Sequence, residues 1–239
     1  MSKLVIALWI GMFVYIGCDS DNPGKPVEPM NISNTGTIKL EVSFVSWPLG
    51  SAKEVAVKTI DRVTAYIYNV TGDEIKQGDL TISDSTATAM FSVPAQNNCR
   101  VILAYFDGSI VRYIGEKSDV DVIPGSEVIV EIVAEYMGIS VVAPETVFIG
   151  RPFKILWLSR PHTTGYQLQE ASLSDFSDTS IVFDGSDFIN TSIVYDGADT
   201  TTTIAAKADS AAYYYRVRPK TPYGLGPWHS TGNAVVNII

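Results

Sequence analysis

The chain has 239 residues, with 26 acidic and 17 basic side chains and a formal net charge of −9. That balance argues against nucleic acid as a partner, which demands a basic surface, and against adhesion to anionic headgroups beyond any anchor. Two cysteines, Cys18 and Cys99, exclude a disulfide-built scaffold.

In chain order, the first feature is an uncharged, mostly apolar run from Leu4 to Gly17, preceded by Lys3 and ending at Cys18. It is too short to span a bilayer, which takes roughly 20 residues. A charged start, a short apolar centre and a small residue before the cut describe a secretory signal. Ile16, Gly17 and Cys18 resemble the lipobox of bacterial lipoproteins, although Tyr15 stands where that family usually has an aliphatic residue. The resemblance implies removal of residues 1–17 and lipidation of Cys18, with attachment to the inner or outer membrane of a bacterial cell envelope. Asp19 is similar to the inner-membrane retention signal of enteric bacteria, a rule that varies among bacteria, so both membranes stay open. Residues 18–36 follow as a lipidated cysteine and flexible tether. They are rich in Pro, Asn, Ser and Gly and have no apolar period, so they bury too little surface to fold. With Cys18 acylated, Cys99 stands alone at the head of the apolar run Cys99–Phe106 and reads as a buried structural thiol.

From residue 37 onward the chain reads as β structure. Short runs rich in Val, Ile, Thr, Tyr and Phe alternate with Gly, Pro, Asn and Asp. Strands are expected over 37–45, 62–69, 78–82, 86–93, 99–106, 109–114 and 127–134. Turns are expected at Thr71-Gly72-Asp73, Pro94, Asp107-Gly108, Gly115 and Pro124-Gly125. Seven strands in about 100 residues suit a sandwich. Residues 37–137 resemble, in pattern alone, the prealbumin-like or immunoglobulin-like modules of bacterial surface lipoproteins, including a Val93-Pro94-Ala95 corner. A short linker near Tyr136-Met137-Gly138 leads into residues 138–239. The fold class is thus all-β, two tandem antiparallel β-sandwich domains behind a signal peptide and tether.

The second domain carries more specific landmarks. Ala143-Pro144-Glu145 opens it, Phe153-Lys154-Ile155-Leu156-Trp157 alternates, and Gly165–Glu170 forms a further strand. Tyr213–Pro219 and the loop Tyr223-Gly224-Leu225-Gly226-Pro227-Trp228 follow. In this order and spacing they resemble a fibronectin type III domain over residues 139–239. The resemblance implies that Trp157 is a core residue of the second strand, and that Tyr213 holds the place of the family's tyrosine corner, whose hydroxyl caps backbone groups. Alternation places Tyr213, Tyr215 and Val217 inward, as it does Phe153, Ile155 and Trp157.

An internal repeat lies inside this domain: Thr179–Asp187 recurs as Thr191–Asp199, twelve positions on, with Phe183 replaced by Tyr195 and Ser186 by Ala198. It reads as a tandem duplication that added a hairpin-sized insert. Glu170 to Asp199 holds seven acidic residues and no basic one. The acids fit turns and edge protection, and lack the D-x-D-x-D-G spacing of a calcium loop.

Chemistry is sparse. The histidines, His162 and His229, have no partner at metal-ligand spacing, and there is no G-x-S-x-G, Gly-rich phosphate loop or H-E-x-x-H. No catalytic, cofactor or metal site is therefore assigned, and an enzyme is not expected. What remains is a binding surface drawn from Trp47, Tyr214, Tyr223 and Trp228, with Trp228 expected to stack with Arg216 or Arg218. The expected function is a lipid-anchored, non-enzymatic module that binds or scaffolds another envelope protein, held to the membrane by its N-terminal lipid. The alternative is a carbohydrate-binding accessory lipoprotein of a polysaccharide-utilisation system, because fibronectin type III modules often accompany polysaccharide-degrading enzymes. Its partner is then a glycan.

Overall fold

The computed structural model describes residues 34–43, 60–83, 86–177, 181–183, 188–190, 193–228 and 234–239. The signal 1–17, Cys18, most of the tether, Trp47, His229 and part of the first repeat copy lie outside the described residues. Among the described residues every regular element is a strand, so the protein is all-β.

The first half contains β1 (Thr35–Ser43), β2 (Arg62–Tyr68), β3 (Glu74–Asp79), β4 (Thr81–Ser83), β5 (Thr86–Pro94), β6 (Gln96–Asp107), β7 (Ile110–Val122), β8 (Glu127–Val130) and β9 (Ala134–Tyr136). One sheet runs β4-β5-β1-β8. The facing layer runs β3-β2-β6-β7, with β9 also on β7, and continues from β7 into the strands of the second half as one sheet. Strict alternation sends Ile38, Leu40 and Val42 of β1 inward against Val63, Ala65 and Ile67 of β2 and Val101, Leu103 and Tyr105 of β6. Each Val, Leu or Ile among these, taken fully out of water, is worth about 1.5–3 kcal/mol. Cys99 belongs to this core and is fully buried, and burial pushes its thiol pKa up, with the nearby Asp121 charge adding to the rise.

Strand β6 differs from its neighbours because Val101 to Phe106 is buried without a break. A continuous apolar run is the signature of a strand covered on both faces. Its outward residues Ile102, Ala104 and Phe106 join Val111, Ile114 and Met137 in a second apolar cluster on the far side of the sheet.

Three expectations need correcting. The run 127–134 is not one strand: Glu127–Val130 is β8, paired with β1, whereas Ala134 begins β9, paired with β7 in the other sheet. Gly115 is no turn: it lies inside β7, which runs unbroken from Ile110 to Val122. The glycine is needed for close approach, since a Cβ there would sit 2.5 Å from Ile132 Cγ2 and 2.8 Å from the Val133 carbonyl oxygen. Nor is 78–82 one strand. The chain leaves one sheet at the end of β3 and enters the other at β4, with Leu80 buried between them. Gly72, Gly108 and Gly125 do adopt the left-handed backbone of the expected turns, and Pro94 closes β5 at the Val93-Pro94-Ala95 corner.

The second half contains β10 (Val141–Val142), β11 (Thr146–Val147), β12 (Phe153–Trp157), β13 (Gly165–Ala171), β14 (Ile181–Phe183), β15 (Phe188–Asn190), β16 (Ile193–Gly197), β17 (Thr201–Ile204), β18 (Ala212–Thr221), β19 (Gly224–Leu225) and β20 (Ala234–Ile238). The sheet β10-β12-β17 faces a sheet ordered β16-β13-β18-β20-β11. Their shared core holds Phe153, Ile155, Trp157, Leu168, Tyr215 and Val217. The inward register read from alternation in Phe153–Trp157 is the one observed. Tyr215 and Val217 are fully buried, and Tyr213 is half-buried against the same core. Trp157 meets Tyr166 and Tyr195 with ring centroids 5.8 and 5.4 Å apart. Antiparallel pairing dominates the molecule, and three short parallel pairings, β1 with β8, β11 with β20 and β7 with β19, occur at strand ends and edges.

Residues 33–239 form one compact unit. Its two cores meet where Leu225 of β19 bridges Ile110 of β7, where Tyr223 packs on Tyr66 at 4.5 Å, and where the Arg160 guanidinium donates to the Gly138 carbonyl at 3.2 Å. The linker segment is drawn into this joint: Met137 is buried and its N–H donates to the Arg112 carbonyl, and Ile139 bridges Val217.

Candidate binding surface

Strand β18 alternates, and its outward side carries Tyr214, Arg216, Arg218 and Lys220 in one line. Opposite them on β13 stand Ala171, Gln169, Gln167 and Gly165. The two arginines therefore meet glutamines, and each cation finds an acceptor. Arg216 Nε donates to Gln169 Oε1 at 2.6 Å, and Arg218 Nε donates to Gln167 Oε1 at 2.9 Å. The Gln167 amide donates onward to Asp196 Oδ2 at 2.9 Å, and Lys220 reaches Asp196 Oδ1 at 2.6 Å. These contacts hold the Asp196 carboxyl below the usual carboxylate range, the Gln167 hydrogen bond first and the Lys220 bond next.

Two rings complete the face. The Arg218 and Arg216 guanidinium carbons lie 4.4 and 5.0 Å from the Trp228 ring centroid, and Arg216 lies 4.1 Å from that of Phe176. The expected arginine–tryptophan stack is thus present with both arginines. Burial under these rings lowers the pKa of both guanidinium groups, and the Arg216 charge adds to the effect at Arg218. Trp228 remains half-exposed, Tyr214 likewise, and Tyr214 pairs across the sheet with Val235 of β20, which is 39% exposed. Phe176 joins this face from outside the strand pattern. It sits in a Ser/Asp-rich loop with a left-handed backbone, φ 59°, and folds its ring back under Arg216. An aromatic isolated in such a polar loop is the signal that marks it.

The four expected surface residues therefore separate. Tyr214 and Trp228 share one face. Tyr223 is taken up by the joint between the two cores: it packs on Tyr66, its hydroxyl hydrogen-bonds Tyr68, and burial followed by that bond drives its pKa upward. Trp47 lies outside the described residues.

Two polar groupings lie elsewhere. At one end of the second core Glu170 accepts from Lys207 at 2.6 Å and from the Tyr215 hydroxyl at 2.7 Å, with the Lys207 ammonium 4.5 Å from the Tyr213 ring. This closes the inward end of β13 as a satisfied structural cluster. At the joint, His162 Nδ1 lies 3.5 Å from Glu116 Oε2 beside a shallow cavity that Met137 and Glu135 also line. Among the described residues no group of three or more His, Cys, Asp or Glu side chains is placed to hold a metal ion.

No family model matches the chain, and no curated protein matches it at a significant level. Among solved structures it is similar to a two-domain fibronectin type III segment of chicken tenascin, with 10% identity, TM-score 0.30, and coverage of 77% of this chain and 87% of that one. A leucine-rich repeat protein of Bacteroides thetaiotaomicron is similar at 9% identity and TM-score 0.30, over 87% of this chain and 25% of that one. The FN1–FN3 domains of chicken CNTN1 are similar at 14% identity and TM-score 0.26, over 75% of this chain and 57% of theirs. The all-β assignment rests on the strand pairing described above and not on these likenesses.

Proposed function

We propose that the protein is a non-enzymatic, lipid-anchored module of the cell envelope that presents the outward face of β13 and β18 to an envelope protein partner. The observation that carries this reading is the fixed row of Tyr214, Arg216, Arg218 and Trp228. Tyr, Arg and Trp are the side chains that dominate binding energy at protein interfaces. Here the two arginines are already held by Gln167, Gln169 and Phe176, so they have less ordering entropy to lose when a partner docks. The short apolar run ending at Cys18 supports the anchor, and the tether behind it supplies reach. A multiply acylated cysteine holds firmly, at about 0.8 kcal/mol per buried methylene.

Glycan binding is the second reading, favoured by a tryptophan beside amide side chains. It ranks lower because guanidinium groups already sit over the Trp228 ring, where a sugar would have to stack. Affinity capture from detergent-solubilised native membranes, using the full chain, tests the first reading. Tyr214→Ala with Arg218→Ala is expected to lose an envelope protein that the wild type retains. Equal retention by both removes this face from the account. Fatty-acid labelling is expected to mark the wild type and not Cys18→Ser, and equal labelling contradicts the anchor.

A further inference from the structure

The two repeat copies are built into the fold differently. The second copy supplies β16, which pairs with β13, whereas the first supplies β14, which pairs with β15 in a small hairpin. Yet they differ at only two of nine positions, so each contact that seats the second copy can be checked against the first.

Asp196 stands opposite Gln167 and binds both Gln167 and Lys220; the first copy offers Asp184 at that place. Gly197 stands opposite Tyr166, and its carbonyl oxygen lies so near Gly165 that a Cβ on Gly165 would sit 2.8 Å from it. A Cβ on Gly197 itself would sit 2.5 Å from the Tyr195 hydroxyl. The first copy offers Gly185. Tyr195 lays its ring 5.4 Å from Trp157, and Phe183 offers the same ring. What the first copy lacks is the hydroxyl, which in Tyr195 accepts the Asp199 N–H at 2.8 Å.

We infer that the edge of β13 accepts either copy, so that the protein exchanges β16 for residues 181–185 by a twelve-residue shift. The shift moves the insert from the connection between β13 and β16 to the connection that leads into β17. Connections over 172–192 and 198–200 become connections over 172–180 and 186–200, a change in closure entropy that favours the observed register by only about threefold. One hydrogen bond more favours it by about fivefold. The β14–β15 hairpin adds little, because two strands alone are marginal in water. The exchanged register is then a minor state of order 5%. The Tyr195/Phe183 difference is the larger of the two terms that set this bias, and loop closure is the smaller.

Paired cysteines in the full chain, in a Cys18→Ser background, test this. Gln167→Cys with Asp196→Cys reports the observed register, and Gln167→Cys with Asp184→Cys reports the exchanged one. Gln167→Cys with Asp187→Cys is the off-register control, and Cys99 is fully buried and stays out of reach. In a glutathione redox buffer the 167–184 bridge is expected to form well ahead of the 167–187 bridge. Adding Phe183→Tyr and Tyr195→Phe to each pair moves the favourable hydroxyl to the first copy. The ratio of 167–184 to 167–196 bridging should then rise about 25-fold, two reversals of a fivefold preference. A ratio unchanged by the ring swap, a control bridge that forms as fast as 167–184, or a bridge that joins two chains instead of closing one would overturn the inference.

Discussion

Each half of the molecule has a sheet with a side turned away from its own core, and the two sides are built from different residues. In the first half that side carries Ile102, Ala104, Phe106, Val111 and Ile114, and it is covered by Met137 and flanked by Tyr223. In the second half it carries Gln167, Gln169, Arg216 and Arg218, covered in part by Phe176 and Trp228. An apolar sheet face has to be covered by protein, and here the covering makes the joint between the two cores. A face of arginine and glutamine needs less cover: the guanidinium groups of Arg216 and Arg218 donate to Gln169 and Gln167 and stack on rings, which buries Gln169 and leaves Tyr214 and Trp228 partly exposed. The difference in side-chain chemistry separates a face that joins from a face that is left to meet a partner.

The comparison breaks most sharply at Trp157. It belongs to neither outward face, so Trp157→Ala in the full chain should cost about 3–5 kcal/mol in denaturant melts. Its Nε1 has no hydrogen-bond partner among the described residues, so Trp157→Phe should recover much of that loss. Tyr223→Ala opens the joint by removing the contact with Tyr66, at about 2 kcal/mol for a half-buried aromatic. Faster hydrogen exchange is expected at Met137 and along β7 near Ile110, with the β12–β17 pairing unaffected. Trp228→Ala on the open face should cost about 1–2 kcal/mol, since it loses stacking and partial burial only. Deleting 179–190 should leave one repeat copy and shift stability by less than about 1 kcal/mol, the scale of a loop-length change. If that deletion unfolds the second half, the insert belongs to the core.

The smallest effect is set by pH. The Asp196 carboxyl is depressed in the folded protein, so the unfolded chain takes up its proton first as pH falls. Its contribution is fully present above about pH 4 and is lost as pH drops through the depressed folded value. The Asp196 and Lys220 side chains are 43% and 38% exposed, which limits the pair to a fraction of a kcal/mol. Asp196→Asn should flatten the acid limb of the stability profile slightly, measured against wild type between pH 5 and 2. A steeper acid limb in the variant contradicts the assignment.

Local alternation was enough to read most of the second core. Phe153, Ile155 and Trp157 share a face because side chains in a strand repeat every two residues, and the same rule orients Tyr215 and Val217 against Arg216 and Arg218. The Arg–Trp stack was legible because the two arginines lie on one side of the strand that leads into the Trp228 loop. Long-range placement was not legible. Tyr223 looks like a loop residue in its own neighbourhood, and nothing there reveals that Tyr66 and Tyr68 wait for it in the other half of the molecule. Gly115 carries the residue type of a turn, but its role is set by Ile132 and Val133 pressing on β7. The switch of sheets at Leu80 is likewise invisible in a run that is β-forming on both sides.

Tyrosine nitration of the intact full chain near neutral pH, read by peptide mass spectrometry, tests the contrast between the two faces most directly. Nitration attacks the phenolate of an accessible ring. Tyr214 stands on the open face, whereas Tyr223 is packed on Tyr66 and its ionisation is suppressed by burial and by its bond to Tyr68. The account predicts early nitration at Tyr214 and protection at Tyr223, with Tyr223 becoming reactive only when the protein is unfolded. Nitration of Tyr223 at or ahead of Tyr214 in the folded protein would contradict it.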